Sequence, residues 1–232
     1  AAASKNGVYV TVTPGANSQA VAEFVIGYLL FASRKIHESI GLLKKGQWDA
    51  ARIEGTELHD KSIGIIGYGS VGSQVAHLAG CFGMKVMISA HSSVSQCSYP
   101  VLPLVQLASM VDFLVIAVPR RRTTEHLVSE TILRKMKSSA FLINVARGGV
   151  VDEDALMTAL DDGLIAGAYL DVFSQEPVRS DSRLVKHPFV CPTPHIAGST
   201  KESLERTAYL AGQSIRQAWD GQRPVHSINT LL

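Results

Sequence analysis

Three polar side chains follow apolar runs, where a loop would leave a strand. They are Arg147 in Asn144-Val-Ala-Arg-Gly-Gly149, Glu176 in Asp171-Val-Phe-Ser-Gln-Glu-Pro177, and His195 in Thr193-Pro-His-Ile-Ala-Gly198. An arginine presents a planar fork of donors that can hold a carboxylate and polarise a neighbouring oxygen. A histidine titrates in the range where a hydroxyl proton can be taken and returned. A carboxylate beside the ring would orient it and stabilise its charged form. Such a set suits the interconversion of a 2-hydroxy and a 2-oxo acid, with hydride passing directly between C2 and a nicotinamide. Taken singly, Arg147 could be a surface ion-pair residue and His195 a satisfied buried histidine, and spacing alone does not choose.

A nicotinamide requires a dinucleotide site. Gly67-Tyr-Gly69-Ser-Val-Gly72 has the spacing G-x-G-x-x-G. It follows an apolar run, opens an amphipathic helix and leads to a second apolar run, which is the context such a loop needs. Gly67 would allow the tight turn, Gly69 the approach of a pyrophosphate to the backbone, and Gly72 close helix–strand packing. The phosphates would sit on free N–H groups at the helix start. The bland alternative is an ordinary strand-to-helix turn. An acid about 20 residues on would hold the ribose 2′-hydroxyl, yet the second run ends Ile88-Ser-Ala90 and no Asp or Glu occurs between Asp60 and Asp112. His91, Ser92 and Ser93 follow, and could accept a 2′-phosphate, with Arg120-Arg121-Arg122 adding positive charge. Cofactor preference is therefore expected to lean to NADP over NAD. A solvated loop is the alternative for the arginines, and a surface position for His91.

These groups need a scaffold. Residues 8–12 read as a strand, and Pro14-Gly15 as a turn. Residues 18–43 read as one helix, with Val21, Val25, Tyr28, Leu29, Ala32 and Ile36 at helical spacing. Strands are expected at 62–66, 85–90, 112–118, 141–144 and 164–170, and around Val190. Helices are expected at 70–82, 129–136, 152–160 and 200–219. Strands apolar on both faces, alternating with helices, indicate a doubly wound parallel sheet in the α/β class. Ligands bind such sheets beyond the carboxyl ends of the strands, where every residue singled out above falls.

Composition fits an ordinary globular protein: 46% hydrophobic and 18% charged residues, with a net charge of +2 that argues against an extended nucleic-acid surface. The longest apolar stretch, residues 20–32, is interrupted by Glu23 and is too short to cross a bilayer, so no membrane partner is expected. Residues 1–7 lack the basic start and apolar run of a signal peptide. Cys81, Cys97 and Cys191 suit no zinc site or disulfide framework, so they read as reduced packing residues in a cytoplasmic protein. No metal is expected.

The segments Gly64-Ile-Ile-Gly-Tyr-Gly-Ser-Val-Gly72, Ile143-Asn-Val-Ala-Arg-Gly-Gly-Val-Val-Asp152, Asp171-Val-Phe-Ser-Gln-Glu-Pro177 and Thr193-Pro-His-Ile-Ala-Gly-Ser199 resemble the signatures of the D-isomer-specific 2-hydroxyacid dehydrogenases. So do Pro14-Gly-Ala-Asn-Ser-Gln-Ala-Val-Ala-Glu23, Thr123-Thr-Glu-His-Leu127 and Met136-Lys137. The resemblance covers nearly the whole chain in the family's order. It implies Arg147 as contact to the substrate carboxylate and carbonyl, Glu176 as orienting partner and His195 as acid/base. It implies dinucleotide contacts from Gly67, Tyr68, Gly69, Ser70, Val71 and Gly72 and from Val118 and Pro119, to which the missing acid at Ala90 adds His91, Ser92 and Ser93. It adds contacts from Val145, Ala146, Arg147, Asp171 (at the nicotinamide carboxamide), His195, Ala197 and Gly198. A helix or turn cap is the alternative for Asp171. The family usually has Asp where this chain has Ala90.

By the same resemblance, residues 1–16 correspond to a remnant of a flavodoxin-like substrate domain, 17–200 to the Rossmann-type dinucleotide-binding domain, and 201–232 to a C-terminal helix returning to the substrate domain. The chain reads as short at its N-terminal end. The expected function is hydride transfer between NAD(P) and a small 2-hydroxy or 2-oxo acid, glyoxylate or hydroxypyruvate being candidates. A homodimer built around the 18–43 helix is expected. Two rivals share these motifs: a catalytically silent dinucleotide-sensing corepressor, and an inactive truncated remnant.

Overall fold

The computed structural model describes residues 2–48, 53–90 and 97–231. The chain divides into two compact units, one of residues Ala22–Ala197 and one of Ala1–Val21 with Gly198–Leu232.

The larger unit is built on six parallel strands, β1 (Ser62–Ile66), β2 (Lys85–Ser89), β3 (Phe113–Ile116), β4 (Phe141–Asn144), β5 (Gly167–Leu170) and β6 (Val190–Pro192), in the order β2-β1-β3-β4-β5-β6. Every pairing is parallel, as in Ile63 opposite Phe113 and Leu114 opposite Leu142. All residues of β1, β3 and β5 are buried, as expected for a sheet covered on both faces. The order turns back between β1 and β3, so the connections leaving these two strands diverge and open a crevice at their carboxyl ends.

The described α-helices are α1 (Ala2–Lys5), α2 (Ser18–Ser33), α3 (Ile36–Lys44), α4 (Ser70–Cys81), α5 (Leu104–Met110), α6 (Glu130–Leu133), α7 (Glu153–Asp161), α8 (Arg183–Lys186) and α9 (Lys201–Trp219), and Gly148–Val150 forms a short 3-10 turn. The expected helix over 18–43 is two helices. Lys35 adopts the left-handed conformation (φ 49°, ψ 40°) between them. The Ser33 carbonyl, which a continuous helix would use internally, accepts the Thr56 N–H at 2.7 Å. Gly55 makes that approach possible, since a Cβ there would lie 3.0 Å from the Ser33 oxygen.

The expected strand over 8–12 is reduced to one antiparallel bridge, Thr11 to Ser227. Its neighbours are bonded irregularly, Val10 N–H to the Asn229 side chain and Val12 N–H to the His226 carbonyl, so no ladder propagates. Helix α5 was not expected. Leu104, Leu107 and Ala108 carry helical spacing over only seven residues, and Leu107 and Ala108 are fully buried. In the smaller unit, Thr200 caps α9 by accepting the Ser203 N–H, and Arg206 donates to the Ala16 carbonyl at 2.8 Å. Among the described residues no helix is long and apolar enough to cross a membrane.

Candidate active site

The β1–α4 turn is shaped by two glycines. Gly67 has φ +97°, and a Cβ there would meet Val118 Cγ1 and the Ala117 carbonyl, at 2.6 and 2.7 Å. A Cβ on Gly72 would overlap the Gly67 carbonyl oxygen, so α4 can lie this close to β1 only with glycine there. Gly69 differs. A Cβ there would meet nothing within 4 Å, because the position faces a cavity of about 1250 Å³.

That cavity occupies the crevice between the ends of β1 and β3. Gly67, Tyr68, Gly69 and Ser70 form one wall, and Val118 and Pro119 face it. Val71 and Gly72 continue into α4 and do not line it. An apolar stretch that sequence reasoning missed, Val101 to Leu104, closes one side. Its signal was weak: the parallel bridge from Val101 to Ile88 is a tertiary contact. Ala90 lines the cavity at the position expected for an acid that holds the ribose 2′-hydroxyl. The described lining includes no carboxylate, and its charged group is Arg121. Arg120 is engaged elsewhere, bonded to Glu125 at 2.7 Å. His91, Ser92 and Ser93 lie outside the described residues. An open face at Gly69, the first N–H groups of α4, which a helix leaves without an internal partner, and room for a dinucleotide all fit an NAD-type cofactor.

A second group of residues gathers at the ends of β4, β5 and β6. Past β4, the buried Asn144 side chain folds the turn that carries Arg147: its Oδ1 accepts the Ala146 N–H and its Nδ2 donates to the Arg147 carbonyl, both at 3.1 Å. Val145 and Ala146 are buried in that turn while Arg147 is exposed. Arg147 Nη1 donates to the Ala146 carbonyl at 2.6 Å. The next residue, Gly148, packs so closely on the Phe173–Ser174 backbone that a Cβ would overlap it. The Arg147 turn is thereby locked to the loop after β5, which carries Glu176.

Glu176 and His195 meet. Glu176 Oε2 lies 2.7 Å from His195 Nδ1, and Oε1 accepts the Phe173 N–H at 3.0 Å. Desolvation works to raise the pKa of the Glu176 carboxyl, but the hydrogen bonds from His195 and Phe173 and the charges of His195 and Arg147 outweigh it. The net effect holds the group below the ordinary glutamate range. The His195 ring is about half exposed, leaving its other nitrogen open to a ligand.

Asp171, at the end of β5, is 1% exposed. Its Oδ1 accepts the Thr193 hydroxyl at 2.6 Å and the Ile196 N–H at 2.8 Å, and its Oδ2 the Ala197 N–H at 2.9 Å. The carboxylate thus holds the loop around His195, a role nearer to the loop-capping alternative than to an exposed ligand contact. Gly198 falls in the smaller unit.

The structure therefore gathers Gly67 to Ser70 with Val118 and Pro119 in one cavity, and Arg147, Glu176, His195, Asp171 and Ala197 at neighbouring strand ends of the same sheet. Glyoxylate reductase of Thermofilum pendens is 40% identical to this chain, over 98% of the chain and 70% of the relative. D-3-phosphoglycerate dehydrogenase of Methanocaldococcus jannaschii is 35% identical, over 98% of the chain but only 44% of the relative. Among solved structures, the NADPH-dependent glyoxylate/hydroxypyruvate reductase of Sinorhizobium meliloti superposes with a TM-score of 0.88 at 29% identity, covering 98% of this chain and 73% of that one. Residues 26–197 match the model described as D-isomer specific 2-hydroxyacid dehydrogenase, NAD binding domain, and the chain belongs to that family.

Proposed function

We propose that this protein reduces a small 2-oxo acid to the D-2-hydroxy acid, or runs the reverse reaction, with glyoxylate and hydroxypyruvate as the leading substrates. The observation that carries the reading is the His195–Glu176 pair beside the Arg147 turn. When bound, the nicotinamide supplies or accepts the hydride. Arg147 holds the substrate carboxylate and polarises the C2 oxygen through its fork of donors. Glu176 occupies His195 Nδ1, so Nε2 is the atom that delivers the proton to the C2 oxygen in reduction and takes it back in oxidation. Glu176 is held below the ordinary glutamate range, so it stays ionised and keeps the ring oriented with Nε2 toward the substrate. Gly69 and the first N–H groups of α4 take the pyrophosphate, and Val118 and Pro119 face it across the cavity. Val145, Ala146, Ala197 and Gly198 complete the expected dinucleotide contacts.

The lining around Ala90, with Arg121 and without a described carboxylate, supports a preference for NADPH. A homodimer through α2 fits the partly exposed Phe24, Leu30 and Phe31 on that helix, and sedimentation at micromolar concentration checks it. The three free cysteines suit a reducing, cytoplasmic compartment. Fluorescence titration with NADH and NADPH, read beside turnover on glyoxylate, hydroxypyruvate and pyruvate, tests the function. Turnover on one of these acids supports it. Dinucleotide binding without turnover on any of them favours the sensing protein or the inactive remnant instead.

A further inference from the structure

The loop that presents His195 is held in a costly conformation. His195 has φ +55°, a left-handed backbone that is unfavourable for a non-glycine residue and persists only where its surroundings over-determine it. The restraint comes from Asp171. Its main-chain carbonyl accepts the His195 N–H at 2.9 Å, and its side chain accepts the Ile196 and Ala197 N–H groups that follow. A carboxylate this deeply buried must itself be held in orientation, and the three donors to it, the Thr193 hydroxyl and the Ile196 and Ala197 main-chain N–H groups, are all neutral.

One of those donors is anchored by a residue remote in sequence. Tyr28, in α2, places its hydroxyl 2.6 Å from Thr193 Oγ1. Thr193 has one hydroxyl proton, and it goes to Asp171 Oδ1 at 2.6 Å, so Tyr28 must be the donor in the Tyr28–Thr193 bond. Burial raises the Tyr28 pKa well above the usual tyrosine value, so the phenol keeps its proton at any working pH. Its ring is wedged between Phe24, with centroids 4.7 Å apart, and Tyr169, at 5.0 Å. The donor is therefore fixed in place by packing.

We propose that Tyr28 is a positioning residue for the acid–base histidine: its hydroxyl orients Thr193, Thr193 orients the Asp171 carboxylate, and that carboxylate holds the Thr193–Ala197 loop so that His195 meets Glu176. The inference rests on the reading of His195 as proton carrier, but it can be tested separately. Hydrogen bonds linked in a chain polarise one another, so loss of the first weakens the next.

Native-state amide exchange read by NMR is the test, on Tyr28→Phe, Thr193→Val and the double variant. Tyr28→Phe keeps the ring and removes the donor. The Ile196 and Ala197 amides should exchange about five times faster, while Leu114 and Ile143 in the sheet stay unchanged. Turnover should fall about three- to tenfold, the usual size for one net hydrogen bond. KM and dinucleotide Kd should hold within about twofold, a split that general loosening of the fold would not produce. The double variant should be no worse than Thr193→Val alone, since both act through one chain. Unchanged exchange at Ile196 and Ala197 in Tyr28→Phe overturns the proposal, and so does a double variant whose loss is the product of the singles. Faster exchange with unchanged turnover supports the positioning role and counts against His195 as proton carrier.

Discussion

Gly69→Ala separates what the fold needs from what the cofactor needs. At Gly67 and Gly72 the protein's own atoms exclude a side chain, whereas at Gly69 a Cβ would meet nothing within 4 Å. The Gly69 backbone is extended (φ −88°, ψ −161°), so alanine adopts it without strain. Alanine restricts the unfolded chain, which stabilises by about 0.4–1 kcal/mol. It is also a poorer residue than glycine at the helix N-cap, by an amount of similar size. These terms oppose, so stability should change by less than about 1 kcal/mol. The added methyl projects into the cavity and should push a pyrophosphate off at least one N–H at the start of α4. A hydrogen bond to a charged group is worth about 1.5–3 kcal/mol, so the dinucleotide Kd should rise roughly 10- to 150-fold. Gly72→Ala should instead destabilise by about 1–3 kcal/mol, because its methyl overlaps a backbone carbonyl. Thermal melts and fluorescence titration of both variants give the comparison. A Gly69→Ala protein that melts like the parent and binds NADH and NADPH within twofold of it would refute the assignment of this cavity.

Further outcomes follow from the same geometry. His195→Gln should lower kcat about 10²–10⁴-fold with dinucleotide affinity nearly unchanged, and steady-state kinetics beside a binding titration reads both. Ala90→Asp should move the NADPH-to-NADH affinity ratio toward NADH by roughly tenfold or more, since a carboxylate there would repel a 2′-phosphate; an unchanged ratio sinks the preference argument. Asp112 Oδ2 accepts both the N–H and the hydroxyl of the buried Ser62, and Oδ1 pairs with Lys137 at 2.8 Å. Desolvation opposes, but Lys137 and Ser62 prevail and hold its pKa below the ordinary aspartate value. The folded-state pKa is thus depressed, so the stabilisation is complete above the unfolded value near 3.9 and is lost as pH falls through the folded one. Asp112→Ala should cost about 1–3 kcal/mol at neutral pH by stranding the Ser62 N–H, and should flatten the acid limb of a stability–pH curve.

Much of this protein is legible without coordinates because its determinants are local. The isoleucine-rich run Ser62–Ile66, the glycine spacing behind it and the long periodic run under α9 each specify their own conformation through propensity, period and backbone sterics. Arg147, Glu176 and His195 are readable as candidates for a related reason, since each follows an apolar run whose end must face the ligand edge of a parallel sheet. What the sequence leaves open are the contacts between residues far apart along it. The helix over 18–43 breaks at Lys35 because Thr56, more than twenty residues on, takes the Ser33 carbonyl. The pairing of Glu176 with His195 depends on β5 and β6 lying side by side. Tyr28 carries only a core-facing period in the sequence, and its hydroxyl acquires a partner because α2 packs where Thr193 leaves the sheet. Periodicity reports which face of an element is buried; which polar atom waits on the other side is decided when the sheet assembles.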